Sequence, residues 1–316
     1  MTIFFLVLGL LLLLGGAEFL VKGAAGLATR LGISPFLIGL TLVGFGTSSP
    51  ELVASLEGAF QGYPGIAIGN VVGSNIANIL LILGISGLVF PLICDRDALK
   101  RDGTMMLIAA AAMAAVCVYG FLSREAGLAF LAVLAVYLVY TYRADKKGND
   151  GAGAMHAAEA EFVTSGRTMG VLVELAMAAG GLVALVIGAS LLVDASVEIA
   201  TKLGVSESVI GLTLVAVGTS LPELATSVLA AFRKKADIAI GNVIGSNIFN
   251  VLGIAGVVAV VKPISIPGDI ASFDVWVMIA ATLLFMIFAW TGARIGRVES
   301  LLLLLGYGAY VTFLLQ

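Results

Sequence analysis

The chain has 316 residues, of which 60% are apolar and only 12% charged, and its mean hydropathy is +1.11. Soluble domains carry about a quarter charged residues, so this composition excludes an ordinary soluble protein and indicates one embedded in a lipid bilayer. A net charge of −3 predicts no nucleic-acid partner, and two cysteines cannot build a disulfide framework.

Apolar runs predict ten transmembrane helices, because a helix needs roughly 20 apolar residues to cross a bilayer. The runs cover 3–22, 35–60, 66–91, 104–121, 126–142, 169–193, 208–232, 237–260, 272–291 and 299–315. The first run is interpreted as a retained helix, since no positive charge precedes it as in a signal peptide. The polar segment 143–168 is predicted to be a cytoplasmic linker between two five-helix halves, 1–142 and 169–316.

One long segment of the chain occurs twice. Residues 16–84 align with 188–256 at a constant offset of 172, and 38 of the 69 positions are identical. The most similar segments are GTSSPE 46–51 with GTSLPE 218–223, and GNVVGSNIAN 69–78 with GNVIGSNIFN 241–250. The repeats therefore carry polar groups and a proline into apolar surroundings, which is typical of an ion or substrate path.

The placement of lysine and arginine predicts the orientation. Fourteen of the 17 lie in alternate connections beginning with the first, and only Arg124, Lys202 and Lys262 lie in the others. By the positive-inside rule the first set is cytoplasmic, so both termini lie outside. Each half has an odd number of helices, so the second half enters from the opposite side. The repeat is therefore predicted to be inverted, with the paired motifs meeting near mid-membrane.

Two prolines predict that helices 2 and 7 are broken. Pro50 and Pro222 each lack an amide hydrogen, and each ring clashes with the carbonyl group four residues earlier. Those carbonyl groups belong to Gly46 and Gly218, and glycine weakens a helix further. A break exposes carbonyl oxygens, which is tolerated in a membrane only inside protein or beside a water-filled cavity.

An acid directly follows each proline, namely Glu51 and Glu223. An uncompensated charge at the bilayer centre costs about 2.5–3.5 kcal/mol on insertion scales. Two acids near the symmetry axis would also repel each other, unless one is protonated or a cation binds between them. The pair therefore predicts a site at which a cation and protons compete, with neutral carboxyls that only pair helices as the alternative.

Hydroxyl and amide oxygens accompany the acids in both repeats. They are Thr47, Ser48, Ser74 and Asn78, and their counterparts Thr219, Ser220, Ser246 and Asn250. Ser74 and Asn78 are four residues apart and so share one helical face. Bonding of the serines to carbonyls of their own helices is the alternative. A set of oxygens without sulfur or imidazole suits Na⁺ or Ca²⁺ rather than Zn²⁺ or Cu⁺.

These paired motifs resemble the two α-repeats of the sodium/calcium exchanger family, prokaryotic type, within the cation/calcium antiporter superfamily. The resemblance covers the whole ten-helix layout and implies exchange of external Na⁺ for Ca²⁺ by alternating access. It implies that Glu51 and Glu223 hold the ions, assisted by the hydroxyls above. It adds as ligands the backbone carbonyls of Gly44 and Ala216, and it implies that helices 1 and 6 slide across the core.

The chain departs from the family pattern at one position. Asn250 stands where characterised exchangers often have aspartate, and Asn78 is also neutral. The site then has at most two negative charges, which balance one Ca²⁺ but compensate several Na⁺ ions less well. Participation of H⁺ or K⁺ therefore stays open.

The leading hypothesis is a Na⁺/Ca²⁺ antiporter of a prokaryotic inner membrane, with no enzymatic activity, no cofactor and no obligate protein partner. The nearest alternative is H⁺/Ca²⁺ or K⁺-dependent exchange on the same fold. A gated cation channel is disfavoured by inverted repeats with a closed midplane. An intramembrane enzyme is disfavoured because the apolar segments offer no Ser–Lys pair, histidine zinc set or aspartate pair.

Overall fold

The computed structural model describes residues 1–31, 44–94, 96–147 and 170–316, which are almost entirely helical. The helices are α1 Thr2–Arg30, α2 Gly44–Thr47, α3 Ser49–Gln61, α4 Pro64–Val89, α5 Arg96–Tyr119, α6 Arg124–Lys147, α7 Val171–Leu203, α8 Glu207–Thr219, α9 Leu221–Phe232, α10 Ala236–Val261, α11 Ile270–Gly292 and α12 Arg297–Leu314. Short strands β1 Leu92–Ile93, β2 Phe121–Leu122, β3 Ile264–Ser265 and β4 Arg294–Ile295 form the antiparallel pairs β1–β4 and β2–β3.

Eight helices in the described ranges are long and apolar enough to cross a membrane. They are α1, α4, α5, α6, α7, α10, α11 and α12. Helices α8 and α9 pass the same test together and are bent by 49° at the break between them. The protein is therefore an all-helical integral membrane protein. The predicted start of the second helix at 35 lies outside the described residues, so the count of ten stays a prediction.

Four helices extend well beyond the predicted apolar runs. Helix α1 continues to Arg30, and α5 begins at Arg96. Helix α6 continues to Lys147, so the predicted linker 143–168 begins as helix, while 148–168 lies outside the described residues. Helix α7 continues to Leu203. The Lys202 Nζ donates to Glu198 Oε1 at 2.5 Å, one turn earlier, and such a pair stabilises a polar helix end. Apolar runs thus measure the membrane-embedded part of a helix and underestimate its length.

Local structure recurs in the two halves at the offset found in the sequence. Breaks fall at Ser48 and Ser220, and π-helical turns begin at Asn78 and Asn250. The correspondence continues past the aligned segment, because further π-helical turns occur at 99–103 and 270–274. A π-helical turn is rare, so its repetition indicates that the duplication includes more of the chain than the sequence alignment covers.

Helices α1 and α7 pack closely against each other through glycines. A Cβ atom on Gly9 would lie 2.8 Å from the carbonyl oxygen of Gly188, and one on Gly16 equally close to that of Gly181. Small residues at such contacts let two membrane helices approach to backbone distance. The pair contacts α3 and α8, the helices next to the breaks.

Each half also ties two neighbouring helices together through an aspartate and a tyrosine. Tyr137 Oη on α6 donates to Asp102 Oδ1 on α5 at 2.8 Å. Tyr310 Oη on α12 donates to Asp274 Oδ1 on α11, also at 2.8 Å. Asp102 additionally accepts a hydrogen bond from Arg101 Nε at 2.7 Å. The aspartates correspond at the offset of 172, so these ties are equivalent parts of the two halves.

Candidate cation site

The proline breaks place each acid in the first turn of a new helix. Ser48 leaves helical geometry at φ −88° and ψ 8°, and α3 then begins with Pro50 as its second residue and Glu51 as its third. Ser220 does the same before α9, where Glu223 is third. Proline is tolerated there because the first amides of a helix have no internal partner. The positive helix N-terminus also favours a carboxylate at this position.

The two acids are buried and bonded by hydroxyls of the opposite half. Glu51 is 1% exposed and Glu223 is 0% exposed. Ser220 Oγ donates to Glu51 Oε1 at 3.0 Å, and Ser48 Oγ donates to Glu223 Oε1 at 3.1 Å. The structure therefore brings the acids and serines of both repeats into one buried cluster.

One oxygen of each acid is uncommitted. Oε2 of Glu51 and Oε2 of Glu223 have no hydrogen-bond partner among the described residues. A buried acceptor without a partner is costly, and carboxylate oxygens are preferred ligands of Ca²⁺. The cluster can therefore accept a cation between its two acids.

Two asparagines outside the predicted ligand set hold the acids in place. Asn70 Nδ2 donates to the main-chain oxygen of Glu51 at 3.0 Å, and Asn242 Nδ2 donates to that of Glu223 at 3.2 Å. Each amide also donates, at 2.9 Å, to the serine four residues after the acid. These bonds fix the first turns of α3 and α9 against α4 and α10. Their position within the repeated motif is the signal that identifies them in the sequence.

The serines of α4 and α10 are placed differently with respect to the acids. Ser246 Oγ donates to Glu223 Oε1 at 3.4 Å. Its counterpart Ser74 Oγ instead lies 3.4 Å from both Asn70 Oδ1 and the carbonyl oxygen of Ala216. The site is therefore pseudo-symmetric in composition but unequal in its hydrogen bonds.

The two threonines lie beside the breaks. Thr219 Oγ1 donates to Asn70 Oδ1 at 3.0 Å and to the carbonyl oxygen of Val215, one turn earlier, also at 3.0 Å. Thr47 directly precedes Ser48, which donates to Glu223. Thr219 thus contacts a group from the opposite half.

Asn78 and Asn250 are both buried at the start of π-helical turns. Asn78 Nδ2 donates to Asn247 Oδ1 at 2.9 Å, and Asn78 Oδ1 has no partner in the described part of the chain. Neither polar side-chain atom of Asn250 has a partner there. The two equivalent amides therefore differ at the nitrogen: within the described residues Asn78 donates a hydrogen bond and Asn250 does not, while both oxygens lack a partner.

One of the two backbone carbonyls suggested by the resemblance, that of Ala216, is already hydrogen-bonded. Its oxygen accepts from the Ser220 amide at 3.1 Å, from Thr219 Oγ1 at 3.3 Å and from Ser74 Oγ at 3.4 Å. Gly44 begins α2, immediately after residues outside the described ranges. An ion at the Ala216 oxygen would share it with these donors.

The chain is similar to known proteins over nearly its whole length. The family model described as sodium/calcium exchanger protein matches residues 1–143 and 173–316. The sodium/calcium exchanger MaX1 of Methanosarcina acetivorans is 38% identical over 342 aligned residues, with 98% of this chain and 97% of that protein covered. The putative antiporter CaxA of Alkalimonas amylolytica is 38% identical over 312 residues, with the same coverage.

The fold is also similar to solved structures. A structure of the sodium-calcium exchanger NCX_Mj, soaked with 2.5 mM Na⁺ and 0.1 mM Sr²⁺, is 34% identical in sequence and has a TM-score of 0.66. The comparison covers 99% of each chain. The similarity therefore extends over nearly the whole molecule and not only over the repeated motifs.

Proposed function

Because the chain belongs to the sodium/calcium exchanger family, whose members are transporters rather than enzymes, we propose that it exchanges Na⁺ for Ca²⁺ by alternating access. The proposal includes ten spans in two inverted halves, 1–142 and 169–316, joined by a cytoplasmic linker at 143–168. It places the protein in a prokaryotic inner membrane with both termini outside, as the distribution of lysine and arginine supports.

The observation that carries this proposal is the pair of buried acids Glu51 and Glu223. The Oε1 atom of each accepts a hydrogen bond from the other half, and the Oε2 atom of each has no partner among the described residues. One Ca²⁺ between the two Oε2 atoms would be balanced by two negative charges. Ca²⁺ takes about 6–8 oxygen ligands. The remaining oxygens would come from Thr47, Ser48, Ser74, Asn78, Gly44, Thr219, Ser220, Ser246, Asn250 and Ala216.

Exchange follows from the charge of the site. When Ca²⁺ leaves, two buried carboxylates are uncompensated, which is unfavourable at membrane depth. Na⁺ ions at the hydroxyl oxygens beside Glu51 and Glu223 would restore the balance. Each ion load then permits closure on one side and opening on the other. We propose that the closely packed pair of α1 and α7 moves across the core during this step.

The test uses purified protein in liposomes and measures ⁴⁵Ca²⁺ uptake with Na⁺, K⁺ and H⁺ gradients imposed one at a time. We expect uptake when Na⁺ inside the vesicles exceeds Na⁺ outside, and none with a K⁺ or H⁺ gradient alone. Vesicles with Glu51→Gln should take up no Ca²⁺, whereas Glu57→Gln, two turns later on the same helix, should retain uptake. Uptake that is indifferent to the Na⁺ gradient would refute Na⁺ coupling.

A second candidate is H⁺/Ca²⁺ exchange at the same site. The observation in its favour is that Asn78 and Asn250 are neutral, so the acids of the site are Glu51 and Glu223. Each of these acids can carry one proton, which would match the charge of one Ca²⁺. Uptake driven by a pH gradient in Na⁺-free buffer would establish this candidate in place of the first.

A further inference from the structure

A groove of about 520 Å³ lies between α5 and α6, far along the chain from the paired motifs. This volume is within the range of about 300–1,000 Å³ that is typical of small-molecule sites. The residues that determine its chemistry are Lys100, Arg101, Ile108, Val133, Val136 and Tyr140.

The groove is basic at one end and apolar along its length. Lys100 and Tyr140 are exposed at the end where α5 begins and α6 finishes. Arg143 is also exposed and follows Tyr140 by three residues, so it lies on the same helix face. Ile108 and Val136 are exposed farther along the groove. This arrangement matches a molecule with a negatively charged head and a hydrocarbon tail.

The positive charge at this end is only partly matched by the residues that the structure describes. Arg101 donates to both carboxylate oxygens of Asp102, at 2.7 and 3.1 Å, so its charge is paired. The Lys100 ammonium lies 5.9 Å from the centre of the Trp290 ring. An aromatic ring stabilises a cation but carries no opposite charge. Among the described residues neither Lys100 nor Arg143 forms an ion pair, so both leave positive charge at the mouth of the groove.

The corresponding place in the second half is uncharged and filled. At offsets of 172 and 173 the counterparts of the three basic residues are Ser272, Phe273 and Gln316. The Phe273 ring packs against Phe313 at 4.5 Å and against Tyr310 at 6.4 Å between centroids. The same architecture thus carries packed aromatic rings in one half and an open basic groove in the other. The duplicated helices alone do not account for the groove.

We propose that this groove is a binding site for an anionic phospholipid of the cytoplasmic leaflet. The phosphate would lie against Lys100 and Arg143, and one acyl chain would lie along Ile108, Val133 and Val136. Basic pockets between helices on the cytoplasmic side bind anionic head groups, and the distribution of lysine and arginine assigns this end to that side.

The test measures lipid binding to the delipidated full-length protein in detergent, by native mass spectrometry. Phosphatidylglycerol and phosphatidylcholine with identical acyl chains are compared, and glycerol phosphate serves as a head group without chains. We expect at least about tenfold tighter binding of phosphatidylglycerol than of phosphatidylcholine, given the contribution of each basic residue near an anionic lipid. Binding of glycerol phosphate as tight as that of phosphatidylglycerol would overturn the lipid assignment.

Variants locate the site. The double variant Lys100→Gln, Arg143→Gln should reduce the preference for phosphatidylglycerol to within about twofold, because both unmatched cations are gone. Val136→Trp keeps the charges and blocks the groove, and it should lower phosphatidylglycerol binding at least fivefold. Lys234→Gln, Lys235→Gln removes the same charge from another exposed connection and should leave the preference intact. An equal loss in this control, or full binding by Val136→Trp, would overturn the proposal.

Discussion

The two halves of the molecule hold equivalent aspartates that make nearly the same hydrogen bond but differ in how their charge is balanced. Asp102 and Asp274 each accept a tyrosine hydroxyl at 2.8 Å. Asp102 also has Arg101, whereas Phe273 stands at the position equivalent to this arginine. In the described part of the chain Asp274 forms no ion pair. The hydrogen bond from tyrosine to aspartate is thus the same in both halves. The neighbouring positive charge is present in the first half and replaced by Phe273 in the second.

At the central acids, by contrast, the two halves do not differ in this way. Glu51 and Glu223 are equivalent, both lack a basic partner among the described residues, and both accept a serine hydroxyl from the other half. A fixed arginine there would compete with a bound cation. We therefore expect the two halves to be functionally equal at the central acids and unequal at the peripheral aspartates.

The largest expected effect comes from replacing either central acid. Glu51→Gln and Glu223→Gln should each weaken Ca²⁺ binding on the order of 100-fold, because ligand charge tunes Ca²⁺ affinity over several decades. Calorimetric titration of the purified protein with Ca²⁺ measures this loss. A large loss in one variant with near-normal affinity in the other would show that the two acids do not share the ion.

The next effect separates the peripheral aspartates. Asp102→Asn deprives Arg101 of a charged partner and should lower the free energy of unfolding by about 2 kcal/mol, since hydrogen bonds to charged groups contribute about 1.5–3 kcal/mol. Asp274→Asn keeps an oxygen for Tyr310 and strands no cation, so less than about 1 kcal/mol is expected. Denaturant titrations in detergent compare the two. Equal losses would contradict the difference in charge balance.

A third pair of variants tests the unequal amides. Asn78→Asp removes the amide donor to Asn247 Oδ1 and places a carboxylate oxygen against that oxygen. We therefore expect the free energy of unfolding to fall by about 1–3 kcal/mol. Asn250→Asp breaks no hydrogen bond among the described residues. It adds a third negative charge and should strengthen Na⁺ binding severalfold. Denaturant titrations measure the free energy of unfolding, and the Na⁺ concentration for half-maximal Ca²⁺ uptake measures Na⁺ binding. Similar behaviour of the two variants would contradict the difference between Asn78 and Asn250.

A fourth pair of variants concerns the tyrosines. Tyr137→Phe should cost about 0.5–1.5 kcal/mol, because Asp102 still has Arg101 as a donor. Tyr310→Phe should cost more, about 1–3 kcal/mol, because the buried Asp274 loses its tyrosine donor. Denaturant titrations show which variant loses more free energy of unfolding. A larger loss for Tyr137→Phe than for Tyr310→Phe would contradict our interpretation.

The sequence was sufficient to predict the all-helical membrane fold and the breaks beside Pro50 and Pro222. It could not give the pairing of Ser48 with Glu223 or of Ser220 with Glu51. The internal repeat shows which residues of the two halves are equivalent, but it does not show which residues contact each other. The ends of α1, α6 and α7 and the start of α5 were also misjudged, because hydropathy falls where a helix leaves the membrane although its hydrogen bonds continue.

Asn70 and Asn242 lie within the repeated motif, which marks them in the sequence, but only the structure shows that they bond to the main chain at the acids. The peripheral aspartates lay beyond sequence reasoning. Asp102 and Asp274 are equivalent, but the segments around them have diverged too far for the repeat to be recognised. There the conserved property is the position of a π-helical turn, which depends on packing more than on residue identity.

The crossed hydrogen bonds between serines and acids have an evolutionary consequence. A polypeptide consisting of a single half would carry its glutamate without the hydroxyl that the present structure supplies from elsewhere. It could complete that contact only by associating with another such polypeptide. Before gene duplication and fusion, a single-half ancestor would therefore have been obliged to work as a dimer, and separately expressed halves should reassemble.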